Sequence, residues 1–593
     1  MRLFSLRPSH VRKDIIFDVT EGTDMKRKIF PVLIALILII LIAGGAVYMR
    51  LREKQAYGTD VMDLRTYFEV EEGKLAIYNG SERIAMQAPI IDGTCYLNLN
   101  FVKSTINSGF YYDWNEKKLL LTDAKGSIVA VPDEDGYSLY GEKKSFACKP
   151  VVMRDDGPYL ALPYVGMLSD LEYRVNEYRL QLVNAWEPYE SSAVLKDTKI
   201  RYEGDVKAAI LCDALTGESL EVLESLKDWS RVRNEEGIIG YVENKDLSAP
   251  MTVTPIKTPV KGDYEIPEYT SDRLYEKVCL GWHAIGGIGG NATLEEVAGT
   301  SIGMNVISPT WFSLKDDEGN FRSFAESSYV QRAHKYGLEV WPAFDDFNYA
   351  NESGEKINEQ GIFASTEKRQ RLAKQIVQAC VEVGADGLNL DFEKVSAQSR
   401  EDFGQFLREL SAECRKHALT LSVDNYMPNE GNKQYSLDVQ GQVADYVILM
   451  GYDEHWHGSK DPGSVASLGF ITDGINKTLE SVPADKLVNA VPFYTILWKI
   501  DGSDVSDEYL TLINEPDFIK RMGVTPVWDE ATEQNYMEWT QGTKTYKTWL
   551  EDLDSLSVKL NVMSAKGLAG VAAWRLGYAP QEVWTLLAAF KQM

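Results

Sequence analysis

The chain has 593 residues and a formal net charge of -26, with 44% hydrophobic and 11% aromatic residues. That length supports three or four domains with sizeable cores, and the composition is that of ordinary globular protein. The acidic balance excludes a nucleic-acid backbone as partner and suits an acidic, exported surface.

Residues 29–49, IFPVLIALILIILIAGGAVYM, carry no charge. As a helix they span roughly 30 Å, enough for a bilayer. Lys26, Arg27 and Lys28 precede the run and Arg50, Arg52 and Lys54 follow it, so flanking charge leaves orientation open. No later segment is comparable. The expectation is a single-pass transmembrane signal anchor behind a cytoplasmic segment 1–28, with the remainder extracellular on the cell-wall side. The small residues from Ala43 to Ala46 keep signal cleavage as the alternative. MKRKIF, opening at Met25, is a more natural beginning than Met1, because its charges abut the apolar run.

Cys95, Cys148, Cys212, Cys279, Cys380 and Cys414 show no CxxC spacing, so neither a zinc site nor a disulfide scaffold is described. An exported chain could form one bridge, Cys95 to Cys148 for example; free buried thiols are the expectation. Within 60–188 an internal repeat stands out. CYLNLNFV (95–102) followed by WNEKKLLLT (114–122) returns about 62 residues later as PYLALPYV (158–165) followed by VNEYRLQLV (175–183). Each copy reads as strand, short helix, turn marked by Asn-Glu, and closing strand, an α+β unit. The pattern resembles the copper amine oxidase N-terminal-like module of exported bacterial proteins. No His lies between His10 and His283, so the resemblance implies a spacer or wall-contact role and no copper.

Residues 195–248 break into short β-like runs. WSRVR from Trp229, then Gly237, then Gly240-Tyr241-Val242, resembles the bacterial SH3 domain, a small β barrel often appended to wall hydrolases. Trp229 and Tyr241 are read as barrel aromatics rather than sugar platforms. The Pro-rich stretch 249–272 reads as a semi-stiff linker.

From 273 to 593, eight strand-like runs alternate with helical patterns: 277–285, 304–312, 338–346, 387–393, 420–428, 445–453, 486–494 and 567–578. EKRQRLAKQIVQACVEVG (367–384) and SREDFGQFLRELSAECRKH (399–417) are the clearest helices. Eight strands with helical crossovers predict a (β/α)8 TIM barrel, making the whole chain multidomain. Residues 495–545, after the seventh strand, read as an inserted subdomain or hairpin containing Trp528, Tyr536 and Trp539.

DGLNLDFE (386–393) is the acidic heart of that barrel. Alternation turns Leu388, Leu390 and Phe392 toward the helices, and Asn389, Asp391 and Glu393 into the interior, rising toward the C-terminal rim where such barrels keep their chemistry. Residues two apart rise by about 6.5 Å, so neighbouring carboxylates influence each other's ionisation. A barrel strand whose acids merely bind internal Lys or Arg is the alternative.

The segment resembles the DxxDxDxE signature of glycoside hydrolase family 18, the chitinase and endo-N-acetylglucosaminidase family. The resemblance implies Glu393 as proton donor, Asp391 as the carboxylate that positions the substrate's acetamido group, and Asp386 as the leading acid. Asn389 replaces the usual Asp, and its amide can still hydrogen-bond a carboxylate. LMGYD (449–453) resembles the family's sixth strand, which implies Met450 shaping the sugar pocket, Tyr452 bonding the acetamido carbonyl and Asp453 touching sugar or acid. GVAAW (570–574) puts Trp574 at the aromatic floor. EHWHGSKDPG offers His455, His457 and Asp461, but without further clustered His it reads as a sugar-contacting loop rather than a metal site. It resembles the YDEHW loop of spore-cortex and cell-wall members, which favours peptidoglycan over insoluble chitin.

The resulting expectation is an anchored, cofactor-free and metal-free hydrolase of β-1,4 bonds in N-acetylglucosamine-containing polysaccharide. Its mechanism would be retaining and substrate-assisted. A sugar-binding barrel that has lost catalysis is the alternative, disfavoured because the acid Glu393 is present.

Overall fold

The computed structural model describes residues 22–80, 82–169, 171–183, 187–256, 264–270, 277–347 and 356–591. The chain divides into two compact units, Met1–Gln87 with Tyr173–Thr258, and Ala88–Glu172 with Pro259–Met593.

In the first unit a helix runs over Gly22–Gln55. Its segment Pro31–Arg52 is long and apolar enough to cross a bilayer. Seven antiparallel strands form the SH3-like sheet, from Tyr189–Ala193 to Met251–Val253. Their alternation buries Ile200, Leu211, Leu220, Val232 and Val242 in one core.

In the second unit the eight expected barrel strands are all present and parallel. In chain order they are Val278–His283, Val306–Leu314, the broken pair Glu339–Val340 and Ala343–Asp345, Gly387–Asp391, Thr420–Asn425, Tyr446–Met450, Leu487–Pro492 and Gly570–Trp574. Pairing of the first strand with both the second and the eighth closes the barrel. Alternation sorts the side chains: Leu280, Trp282, Ile448, Val488 and Ala572 fill the interior, while Leu388, Leu390, Leu449 and Val571 pack under the helices. Gly387 sits on the inward face of the fourth strand, where a Cβ would lie 2.6 Å from Cδ1 of Trp341. Only glycine leaves room for that indole.

The two helices legible in the sequence span Thr366–Val383 and Arg400–Lys416. The first starts where the Ser365 side chain accepts the Lys368 amide, and stops at Gly384 in the left-handed region, φ 77°. Its Leu372, Ile376 and Cys380 make the buried stripe.

The insertion after the seventh strand is a five-stranded antiparallel sheet with a helix, Glu515–Met522. Both repeat copies also fold as read. Thr94–Asn98 and Gly157–Ala161 each lead into a helix, and the two strands pair antiparallel. Asn115 lies in the following turn of the first copy, whereas Asn176 ends the strand Glu172–Asn176 and the turn begins at Glu177. All six cysteines are free thiols.

Two boundaries differ from the sequence reading. The 60–188 module is not one body: residues 88–172 belong to the compact unit of the barrel. The reason is a buried polar interface. Tyr111 donates to Asp402 (2.7 Å), the Thr366 amide donates to Asp113 (2.8 Å), and Gln405 donates to Thr122 (2.8 Å). The linker expected over 249–272 is shorter as well, because Met251–Val253 extends the SH3-like sheet. Tyr264 donates to Asp123 and Tyr269 to the Thr122 carbonyl. Residues 257–263 and 271–272 of that linker lie outside the described residues.

Candidate active site

A cavity of about 380 Å³ opens at the C-terminal rim of the barrel. The fourth strand ends at Asp391, so Glu393 stands two residues past it in a loop. That loop is pinned by Asp346, whose carboxylate accepts the backbone amides of Glu393 (2.9 Å) and Lys394 (2.7 Å). Glu393 takes a hydrogen bond from the Tyr426 hydroxyl. Burial pushes the Glu393 carboxyl up, and the Tyr426 bond pulls against it. Such a group keeps its proton above the usual carboxylate range, as a general acid must.

Asp391 is half-buried, its Oδ1 shut off from solvent without a hydrogen-bond partner among the described residues. Burial pushes it well up, and the neighbouring Asp424, Glu393, Asp345 and Asp346 add to the effect. Beneath it, the fully buried Asn389 accepts from the Trp282 indole (2.9 Å) and Ser308 (3.2 Å). It donates to Ser422 (3.0 Å) and Asp424 (2.7 Å).

The sixth strand delivers Met450, with Tyr452 and Asp453 in the loop behind it. Asp453 holds a left-handed backbone, φ 60°, and accepts the Tyr494 hydroxyl; burial raises it. Trp574, at the end of the eighth strand, tilts against Trp282 with centroids 5.9 Å apart.

The structure therefore gathers Glu393, Asp391, Met450, Tyr452, Asp453 and Trp574 around one cavity, with Asn389 supporting it from below. It does not bring Asp386 there. Asp386 precedes the strand and accepts from His334 and the Val340 amide, both at 2.8 Å, which ties the start of the strand to its neighbours. His455 and His457 take separate partners, the Asp461 carbonyl and Asp507. No metal-holding cluster occurs among the described residues. The insertion contributes Tyr494 and Tyr509 to the cavity, whereas Trp528, Tyr536 and Trp539 do not line it.

Sequence reasoning missed Asp424, Tyr426, Phe347, Arg575 and Tyr578 as lining residues. Asp424 and Tyr426 had a signal: SVDNY ends the fifth strand with the same two-residue alternation that places Asp391 and Glu393. The others come from loops with no pattern of their own.

Residues 315–579 match the family model described as Glycosyl hydrolases family 18, and residues 196–248 match Bacterial SH3 domain. The chain is similar to the "Uncharacterized glycosylase YvbX" of Bacillus subtilis (strain 168), 24% identical over 291 residues, covering 47% of this chain and 83% of the relative. It is also similar to the "Cortical fragment-lytic enzyme" of the same organism, 24% identical over 234 residues, covering 37% of this chain and 53% of that relative. Among solved structures, the spore cortex-lytic enzyme SleL of Bacillus cereus matches with a TM-score of 0.48 and 18% identity, over 56% of this chain and 78% of that one.

Proposed function

Residues 315–579 being a family 18 glycoside hydrolase domain, we propose that the chain cleaves β-1,4 bonds of N-acetylglucosamine-containing glycan, of the peptidoglycan type, by a retaining, substrate-assisted route. The observation that carries this is the pairing of one protonatable acid, Glu393, with a second carboxylate, Asp391, whose Oδ1 is buried, in a cavity with an aromatic floor. With the substrate's own 2-acetamido oxygen as nucleophile, no second carboxylate need attack the anomeric carbon, and family 18 is such an exception to the two-carboxylate scheme. Glu393 gives its proton to the leaving oxygen. Asp391 orients the acetamide and offsets the oxazolinium charge, Tyr452 bonds the acetamido carbonyl, and Trp574 supports the distorted sugar. Water then opens the oxazolinium ion, with Glu393 taking back a proton, and the anomeric configuration is retained.

Similarity to a relative named as a cortical fragment-lytic enzyme supports peptidoglycan-type glycan. The helix over Pro31–Arg52 supports membrane anchoring, and the SH3-like domain supports placement at the wall. The test is Glu393→Gln on purified peptidoglycan strands. Turnover should fall by about 10³-fold or more with glycan still bound, and NMR taken directly after cleavage by the wild type should show the retained anomer. Inverted product, or full turnover in the variant, would overturn the reading. A wild type that binds glycan without cutting it would place the chain with sugar-binding barrels.

A further inference from the structure

The family motif places a carboxylate at position 389, and this chain has an amide there. The structure offers a replacement. Asp424, on the fifth strand Thr420–Asn425, points inward beside Ser422 and borders the same cavity as Asp391. It is 3% exposed. Asn389 donates to its Oδ1 at 2.7 Å. Its other oxygen, Oδ2, is buried without a hydrogen-bond partner among the described residues, and so is Oδ1 of Asp391. Two unpaired acceptors in one buried pocket are costly unless a proton lies between them.

We propose that Asp424 is a positioning residue for Asp391: it supplies from the fifth strand the carboxylate that the motif places on the fourth, and the two acids share one proton.

One proton satisfies every atom in the network. Asp424 Oδ1 acts as the carbonyl oxygen that accepts from Asn389, and Oδ2–H donates to Asp391 Oδ1. Asp391 is left as the charged member. When a glycan binds, its acetamido N–H donates to Asp391, the shared proton stays on Asp424, and Asp391 meets the oxazolinium cation as an anion. The Glu393 proton goes separately to the leaving oxygen, so the pair neither gains nor loses a proton in the step. The ionisable groups facing the pair agree with a single charge there. Burial pushes both acids well up, and Glu393, Asp345 and Asp346 add negative charge around Asp391. Tyr452 and Asp453 border the cavity, where Arg575 is the cation among the lining residues; it donates to the Tyr578 hydroxyl at 2.8 Å.

The inference rests on the substrate-assisted reading, and the experiment separates the two. Asp424→Asn, the exchange Asn389→Asp/Asp424→Asn, and Glu393→Gln are compared in the full chain on soluble glycan strands released from peptidoglycan, with folding checked by urea unfolding. Asp424→Asn should lose about 100-fold in kcat with KM changed little, because its effect appears only as charge develops. The exchange should return kcat to within about tenfold of wild type, since it restores the carboxylate count. The exchange variant also carries the test if Asp424→Asn does not fold. Wild-type kcat in Asp424→Asn, or a folded exchange variant as inactive as Glu393→Gln, would overturn the shared-proton pair and leave the hydrolase reading standing. Full turnover in Glu393→Gln would instead remove the hydrolase reading itself, and this pairing with it.

Discussion

At the scale of single residues the cavity is a contest between burial, which holds protons on acids, and hydrogen bonds, which release them. Glu393 shows both effects, because the Tyr426 hydroxyl donates to its carboxylate and so favours the ionised form. Removing that donor raises the Glu393 pKa further. In Tyr426→Phe the basic limb of the kcat/KM profile should therefore move to higher pH, while the pH-independent rate falls by less than about tenfold. A limb that stays put or moves down would show that Tyr426 does not tune the acid. The acids legible in the sequence were those two apart at the end of one strand, where alternation points both inward. Asp386 stands outside the cavity for a geometric reason. Seven positions along an extended chain cover about 23 Å, so the first and last letters of the motif stand near opposite ends of the barrel. A motif read as a string hides that distance. Asp346 was invisible for another reason, since it holds Glu393 through backbone amides that any residue would present.

At the scale of elements, the barrel was legible because parallel strands buried on both faces read as apolar runs, and because the helix over Thr366–Val383 carries its own cap, stripe and stop. The docking of residues 88–172 onto that helix and the next was not legible. Its partners lie some 250 residues apart and leave no local signature: Arg369 donates to Tyr111, and Asp113 holds Thr366 at the helix start, while Arg369 also pairs with Glu409 of the next helix at 3.1 Å. Arg369 and Glu409 are almost wholly shielded, at 0% and 3% side-chain exposure. Breaking such a pair strands a charge. Glu409→Ala should cost about 3–5 kcal/mol of stability, read as a lowered urea midpoint. Replacing both partners together, Arg369→Met with Glu409→Leu, should cost less, because no buried charge then remains. Equal losses for the two variants would assign the effect to lost packing rather than to the stranded guanidinium.

At the scale of the whole molecule, that interface changes where the chain can be cut. A chain beginning near residue 273 has the expected barrel sequence but loses Tyr111, Asp113 and Thr122, so the Asp402, Thr366 and Gln405 groups they satisfy are uncovered. Exposed to water they cost little. Tyr111 also covers the buried Arg369, whose guanidinium lies 4.7 Å from the Tyr111 ring, so that cover is lost with them, and the barrel should unfold at lower urea concentration than a chain that keeps residues 88–172. Removal of residues 1–55 makes no such cut, because it takes away a helix whose apolar segment Pro31–Arg52 is exposed along its length. Three chains then separate anchoring from stability. The full chain should sediment with membranes, and a protease should reach its barrel on wall-stripped cells. The chain lacking 1–55 should be soluble, with unchanged kcat on released glycan strands and a lower rate on intact walls. The chain beginning near 273 should show the lower urea midpoint on top of that. If the chain lacking 1–55 digests intact walls as fast as the full chain does in its membrane, the helix does not serve placement. If the shortest chain is as stable as the longer two, the 88–172 interface contributes nothing to holding the barrel, and its polar network has to be explained by wall contact instead.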